Sequence, residues 1–264
     1  MSKELSKNDK ILIAGANGMV GSAICRNLVL KGYSKILKPT KKQLNYLNNI
    51  EVQNWFNKNK PDIVIIAAAK VGGIYANLSQ PTEFILENIK IQINIIETSW
   101  QFGVKKLIFL GSSCIYPKES DQPIKEEYLL SGPLENTNIS YAIAKISGIQ
   151  LCNSLREQYG FNSMSLMPTN LYGPGDNFDD KNSHVMAGLI QRFYRAKTLS
   201  KDSVKCWGSG LPMREFLYVD DLGEAVVFAL EQWNPSSIDA PKDKNGKPLL
   251  HLNVGTGEDI SIKN

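Results

Sequence analysis

Lys10-Ile11-Leu12-Ile13-Ala14-Gly15-Ala16-Asn17-Gly18-Met19-Val20-Gly21 joins a short apolar run directly to a glycine-rich turn. The run has the length and composition of a buried strand, and a helical pattern follows it as far as Gly32. Gly-x-x-Gly-x-x-Gly between a strand and a helix gives each glycine a task. Gly15 permits the tight turn, Gly18 lets backbone approach a pyrophosphate, and Gly21 lets the helix pack closely on the sheet. The helix start then offers unpaired N–H groups and a partial positive charge to phosphate. A dinucleotide site spanning Gly15, Ala16, Asn17, Gly18, Met19, Val20 and Gly21 is expected.

Outward from this turn, strand and helix alternate. A second strand is expected at 34–37, a helix at 49–60 broken by Pro61, and a third strand at 62–69. The third is continuously apolar, as a parallel strand covered on both faces should be. A loop, Lys70-Val71-Gly72-Gly73-Ile74, follows at its carboxyl end, where open α/β sheets place ligands. A helix at 81–102 is apolar on more than one side, so the sheet and a further surface, such as a second subunit, are expected to cover it. Then come a strand at 105–110, a helix at 139–159 ended by Gly160, and a strand at 162–167. A rigid loop at 168–175, a helix at 184–197, a strand at 204–207 and a strand at 214–219 follow. The pattern closes with a helix at 220–233, an exposed loop at 234–247 and a strand at 249–254. Ser261 has the character of a helix N-cap with no helix after it. This alternation predicts an α/β fold with a doubly wound parallel sheet of Rossmann type. The expected division is a dinucleotide-binding domain at 10–170, completed by 214–233 and 249–256. A smaller substrate domain would take 171–213 and 257–264, with 1–9 as a flexible tail.

After the second strand the chain reads Lys38-Pro39-Thr40-Lys41-Lys42, with none of the acid that takes ribose hydroxyls in NAD sites. Cations there suit a 2′-phosphate, so NADP(H) is preferred, with Lys41 as its contact. Further on, Ser140-Tyr141-Ala142-Ile143-Ala144-Lys145 places Tyr141 and Lys145 one helical turn apart. An adjacent ammonium favours phenolate and should lower the phenol's pKa, so that Tyr141 exchanges protons near neutral pH. Gly111-Ser112-Ser113-Cys114 supplies a hydroxyl and a thiol just upstream.

Composition narrows the function. The net charge of +4 is spread without an arginine-rich helix, which gives no reason to expect nucleic-acid binding. No apolar run is long enough to span a bilayer, and the first ten residues are polar rather than signal-like. The four cysteines are widely spaced, which argues against a metal site or a disulfide framework and fits a reducing cytoplasm.

The chain resembles the extended short-chain dehydrogenase/reductases, and among them the GDP-L-fucose synthase family of nucleotide-sugar epimerase/reductases. The resemblance runs from Lys10 onward through GMVGSAI, AAAKVGGI, FLGSSCIYP, YAIAKISGI, MPTNLYGP, DNF, NSHV, WGSG, PMREFL, VDD and NVGTG. It implies NADPH-dependent epimerisation at C3 and C5, and reduction at C4, of GDP-4-keto-6-deoxy-D-mannose by a cytoplasmic homodimer. It implies that Tyr141 donates to the C4 oxygen, Lys145 tunes it and holds the nicotinamide ribose, and Ser112 polarises the carbonyl. Cys114 and His184 become the epimerisation acid/base pair, chemically reasonable because a thiol and an imidazole bracket neutral pH. Implied cofactor contacts are the glycine turn, Leu110, Gly111, Ser112, Ser113, Lys145, Pro168, Thr169, Asn170, Leu171 and His184. Implied substrate contacts are Arg192, Trp207 and Arg214, since arginine forks suit a diphosphate. The family often carries a basic pair where Ala16-Asn17 stand. Its members also continue beyond the last residue here, so the substrate domain is expected to be cut short. Two alternatives stay open on these grounds: a non-catalytic NADP-binding remnant, and a related nucleotide-sugar epimerase or dehydratase. Turnover would separate the first; the Ser112–Cys114 segment with His184 argues against the second.

Overall fold

The computed structural model describes residues 5–179, 183–206 and 208–263. A six-stranded parallel sheet runs in the order β2-β1-β3-β4-β5-β8. Its strands are β1 (Ile11–Ala14), β2 (Ile36–Leu37), β3 (Ile63–Ile66), β4 (Lys106–Leu110), β5 (Ser163–Pro168) and β8 (His251–Val254). The chain leaves β1 outward to β2 and then crosses back to β3, so the topological switch lies between β1 and β3. Ligands of such sheets bind at the carboxyl ends beside that switch.

Side chains alternate across the sheet. Ile11, Ile13, Ile63, Ile65 and Ile108 face one core, shared with α1 (Met19–Leu30) and α7 (Val219–Gln232). Leu12, Val64, Ile66, Leu107 and Phe109 face the other. That second core is closed by α2 (Asn49–Asn59), α4 (Pro81–Gln101) and α5 (Ile139–Tyr159). Gly160, with φ of 68°, ends α5 in the left-handed conformation. Buried Lys106 fastens α7 to β4 by donating to the carbonyls of Leu230 at 2.7 Å and Trp233 at 2.8 Å.

A three-stranded sheet stands beside the large one in the order β6-β7-β9. It comprises β6 (Asn170–Tyr172), β7 (Met213–Tyr218) and β9 (Asp259–Ser261). Here the structure corrects three expectations. The 168–175 loop contains β6, which pairs in parallel with β7. Ser261 ends a strand antiparallel to β7, rather than capping a missing helix. Residues 204–206 form no strand, and Trp207 lies outside the described residues. A short helix, α3 (Ile74–Ser79), follows the Lys70–Gly73 loop, and α6 (Val185–Thr198) fills the expected helical position.

Candidate active site

Gly15 has φ of 88°, and a Cβ there would stand 2.7 Å from the Ala68 backbone nitrogen. This is the contact between the ends of β1 and β3. Gly18 is the N-cap of α1 and makes no side-chain cap; the first turn carries no acid. The free N–H groups of that turn therefore face outward without a competing carboxylate. This donor set fits a dinucleotide pyrophosphate. Lys41 and Lys42 are exposed beyond β2. Gly175 lies across this turn, since a Cβ on it would meet Met19 Cα at 3.6 Å.

At the end of β4, Gly111 packs against the tip of Met167: an added Cβ would sit 2.3 Å from Met167 Sδ. The chain then tightens into a 3₁₀ turn at Ser113–Ile115, where Ser112 Oγ accepts from the Cys114 N–H at 3.4 Å. Two residues on, the Tyr116 hydroxyl donates to Asn253 Oδ1 at 2.6 Å and ties this turn to β8.

Tyr141 and Lys145 enter from α5. Phe84 packs edge-on against the Tyr141 ring, with centroids 6.2 Å apart. Lys145 is buried, and its ammonium lies 5.7 Å from the Tyr141 ring centroid. It donates to the Leu110 carbonyl at 2.7 Å rather than to the phenol. Burial pulls Lys145 down to about 8. Burial also pushes Tyr141 well above the usual phenol range; the neighbouring Cys114 adds to this, and the Ser112 hydroxyl opposes it. The expected lowering by Lys145 is therefore overturned: desolvation of a phenolate outweighs an ammonium held on a carbonyl. Burial likewise raises the Cys114 thiol, against the pull of Ser112 and Lys145. Ser112, Cys114, Tyr141 and Lys145 thus act on one another as a single cluster.

The other expected residues come from the small sheet and its loops. His184 is the exposed N-cap of α6. Asp176, pushed up by burial, is near enough to feel its charge. Arg192 is half-buried on α6, and Arg214 is exposed on β7 with Nη1 donating to the Met213 carbonyl at 2.7 Å. The segment Pro168–Leu171 leads from β5 into β6, and the Thr169 N–H donates to the Val254 carbonyl at 3.2 Å.

Motif reading missed Asn88. It is buried in α4, accepts from the Lys70 N–H at 2.9 Å and donates to the Lys70 carbonyl at 3.0 Å. One side chain therefore clamps the loop after β3. Gln92, Asn94, Thr98 and Ser99 are polar and buried on the same helix, so polarity alone did not single Asn88 out.

The model of the NAD dependent epimerase/dehydratase family matches residues 11–243. GDP-L-fucose synthase of Escherichia coli is 49% identical over 255 residues, 96% of this chain and 78% of that protein. GDP-L-fucose synthase 1 of Arabidopsis thaliana is 46% identical over 263 residues, 100% of this chain and 77% of that protein. Among solved structures, a GDP-L-fucose synthetase from Naegleria fowleri bound to NADP superposes with a TM-score of 0.83 at 31% identity, covering 99% of this chain and 82% of that one.

Proposed function

We infer the activity from one premise: the chain belongs to the NAD dependent epimerase/dehydratase family and, within it, to the GDP-L-fucose synthases. It is an NADP-dependent enzyme that converts GDP-4-keto-6-deoxy-D-mannose to GDP-L-fucose. The observation that carries this reading is 49% identity to the E. coli enzyme over 96% of the chain. No helix among the described residues is long and apolar enough to cross a membrane.

The residue roles are those the family resemblance implies, and each suits the chemistry required. The 4-ketone acidifies the C–H bonds at C3 and C5. An acid/base pair is needed there, one group removing a proton and the other returning one to the opposite face. The family resemblance assigns the pair to Cys114, which sits in the cluster with Tyr141, and His184, the N-cap of α6. When bound, the dinucleotide supplies a hydride to C4. Tyr141 then gives its proton to the C4 oxygen, a role suited to a phenol that burial keeps protonated. Ser112 hydrogen-bonds that oxygen and orients it. Lys145 holds the Leu110–Ser113 segment through the Leu110 carbonyl and places a cation beside the phenolate left behind. Lys41 is assigned to the 2′-phosphate, and Arg192, Trp207 and Arg214 to the GDP moiety.

The test is single turnover of this 264-residue chain with NADPH and the 4-keto sugar, following nicotinamide absorbance and product identity. NADPH oxidation with GDP-L-fucose formed is expected; folded protein that binds NADPH but yields no product would sink the reading. In the same assay Cys114→Ser is expected to slow deuterium exchange at C3 and C5 about a hundredfold, the typical share of one acid/base group. Reduction of the unepimerised ketone should remain. Equal loss of exchange and reduction would contradict the division of roles.

A second copy is the partner that the α4–α5 face fits. Leu86 and Ile93 on α4, and Ile143 on α5, stand 49%, 38% and 43% exposed on two helices packed side by side. Half-exposed apolar side chains on two adjacent helices support this reading. Sedimentation should show a dimer, and Ile93→Glu with Ile143→Glu should yield a folded monomer. A variant that stays dimeric would place the contact elsewhere.

A further inference from the structure

Glu215 is a carboxylate to which the catalytic reading gives no task, yet three segments of the chain meet at it. Its Oε1 accepts from the Gly257 N–H at 2.7 Å and from the Thr256 hydroxyl at 3.3 Å. These residues form the turn that carries the chain from β8 in the large sheet to β9 in the small one. Its backbone carbonyl accepts from Asn170 Nδ2 at 3.0 Å, at the point where the chain leaves β5 for β6. Glu215 itself lies in β7, paired with Asp259 of β9. Both crossings from the dinucleotide sheet to the small sheet are therefore fastened to one residue. The packing is close: a Cβ on Gly255 would stand 2.1 Å from Glu215 Oε1 and 2.9 Å from Thr169 Cγ2.

Successive side chains on a strand point to opposite faces. Glu215 grips the junction from one face of β7, and its neighbour Arg214 projects from the other. We propose that Glu215 is a positioning residue for GDP-sugar binding: by locking the β8–β9 turn to β7 through its carboxylate, it fixes the height of Arg214 against segment 168–171. This rests on the assignment of Arg214 to the substrate diphosphate. A charged acceptor on a backbone N–H is a strong hydrogen bond, and a small displacement of a positioning group is costly for binding and orientation.

The test compares Glu215→Ala, Glu215→Asp, Glu215→Gln and Arg214→Ala by calorimetric binding of GDP and of NADPH, with steady-state kinetics on the 4-keto sugar. Glu215→Asp retains the charge but is one methylene too short for the Gly257 N–H; Glu215→Gln retains the length and an acceptor oxygen. Glu215→Ala and Glu215→Asp are expected to weaken GDP binding and raise KM about tenfold, with kcat at saturation and NADPH affinity near wild type. Glu215→Gln should recover most of the loss. If Glu215→Ala does not fold, the Asp and Gln pair decides. GDP affinity unchanged in Glu215→Asp while Arg214→Ala weakens it would overturn the proposal. GDP affinity unchanged in both would instead remove Arg214 from the substrate site, and the proposal with it. Equal loss of NADPH and GDP binding in Glu215→Asp would show a general structural role and also overturn it.

Discussion

Tyr141→Phe is expected to lower the rate of NADPH oxidation about a thousandfold, within the range that one proton-transfer group contributes. The substitution removes one oxygen and leaves the ring, so the edge-on contact with Phe84 is kept and the fold should be unaffected. Exchange at C3 and C5 should continue, because Cys114 and His184 remain. The mutant therefore accumulates epimerised ketone, whereas Cys114→Ser yields the reduced sugar that was never epimerised. The pH dependence has a defined direction. Tyr141 acts as an acid, and burial holds its phenol protonated throughout the neutral range. Proton donation leaves a phenolate that the Lys145 ammonium stabilises, and Lys145 loses its proton as pH rises through about 8. Reduction should be level below that value and decline above it. A decline on the acid side alone, or a Tyr141→Phe enzyme that reduces at the native rate, would dismiss Tyr141 as the donor.

Much of this site could be read from the chain because its parts are local. A strand, a glycine turn and a helix within residues 10–32 specify a phosphate cradle without reference to distant residues, and one helical turn joins Tyr141 to Lys145. What escaped the sequence is what depends on contacts distant in the chain. β6 and β9 have three residues each, too few for a periodic signal, and they exist because β7 pairs with both. The pKa of Tyr141 was read in the wrong direction because spacing reports a neighbouring charge but not the desolvation around it. Spacing puts the Lys145 ammonium beside the phenol, but the Leu110 carbonyl, 35 residues away, accepts its hydrogen bond. Glu215 stood inside the quoted PMREFL stretch. Its partner turn lies about forty residues on, and nothing within the stretch points there.

The glycine turn carries the sharpest structural prediction, because two of its glycines should fail differently. A Cβ on Gly21 would lie 2.1 Å from the Gly15 carbonyl oxygen, 2.6 Å from the Gly15 carbonyl carbon and 2.7 Å from Ala16 Cα. All three are backbone atoms, so no side chain can rotate away. Gly21→Ala must lift α1 from the end of β1, where Gly21, Ala23, Ile24 and Leu28 are buried. Overpacking against backbone at such a site is expected to cost about 3 kcal/mol or more. That corresponds to a fall in Tm of roughly 10 °C for a chain near this size. Gly18 differs: its φ of −82° is open to any residue, and its added Cβ would meet only the Gly15 oxygen, at 3.5 Å. Gly18→Ala should melt like the wild type, yet bind NADPH at least tenfold more weakly, because the methyl group occupies the surface on which the pyrophosphate rests. Thermal melts of the ligand-free proteins, read beside NADPH titrations, separate the two effects. A Gly21→Ala protein with native Tm would mean that α1 does not need its close approach to β1. A Gly18→Ala protein with native NADPH affinity would move the pyrophosphate off the helix start, and the assignment of the turn as its cradle would go with it.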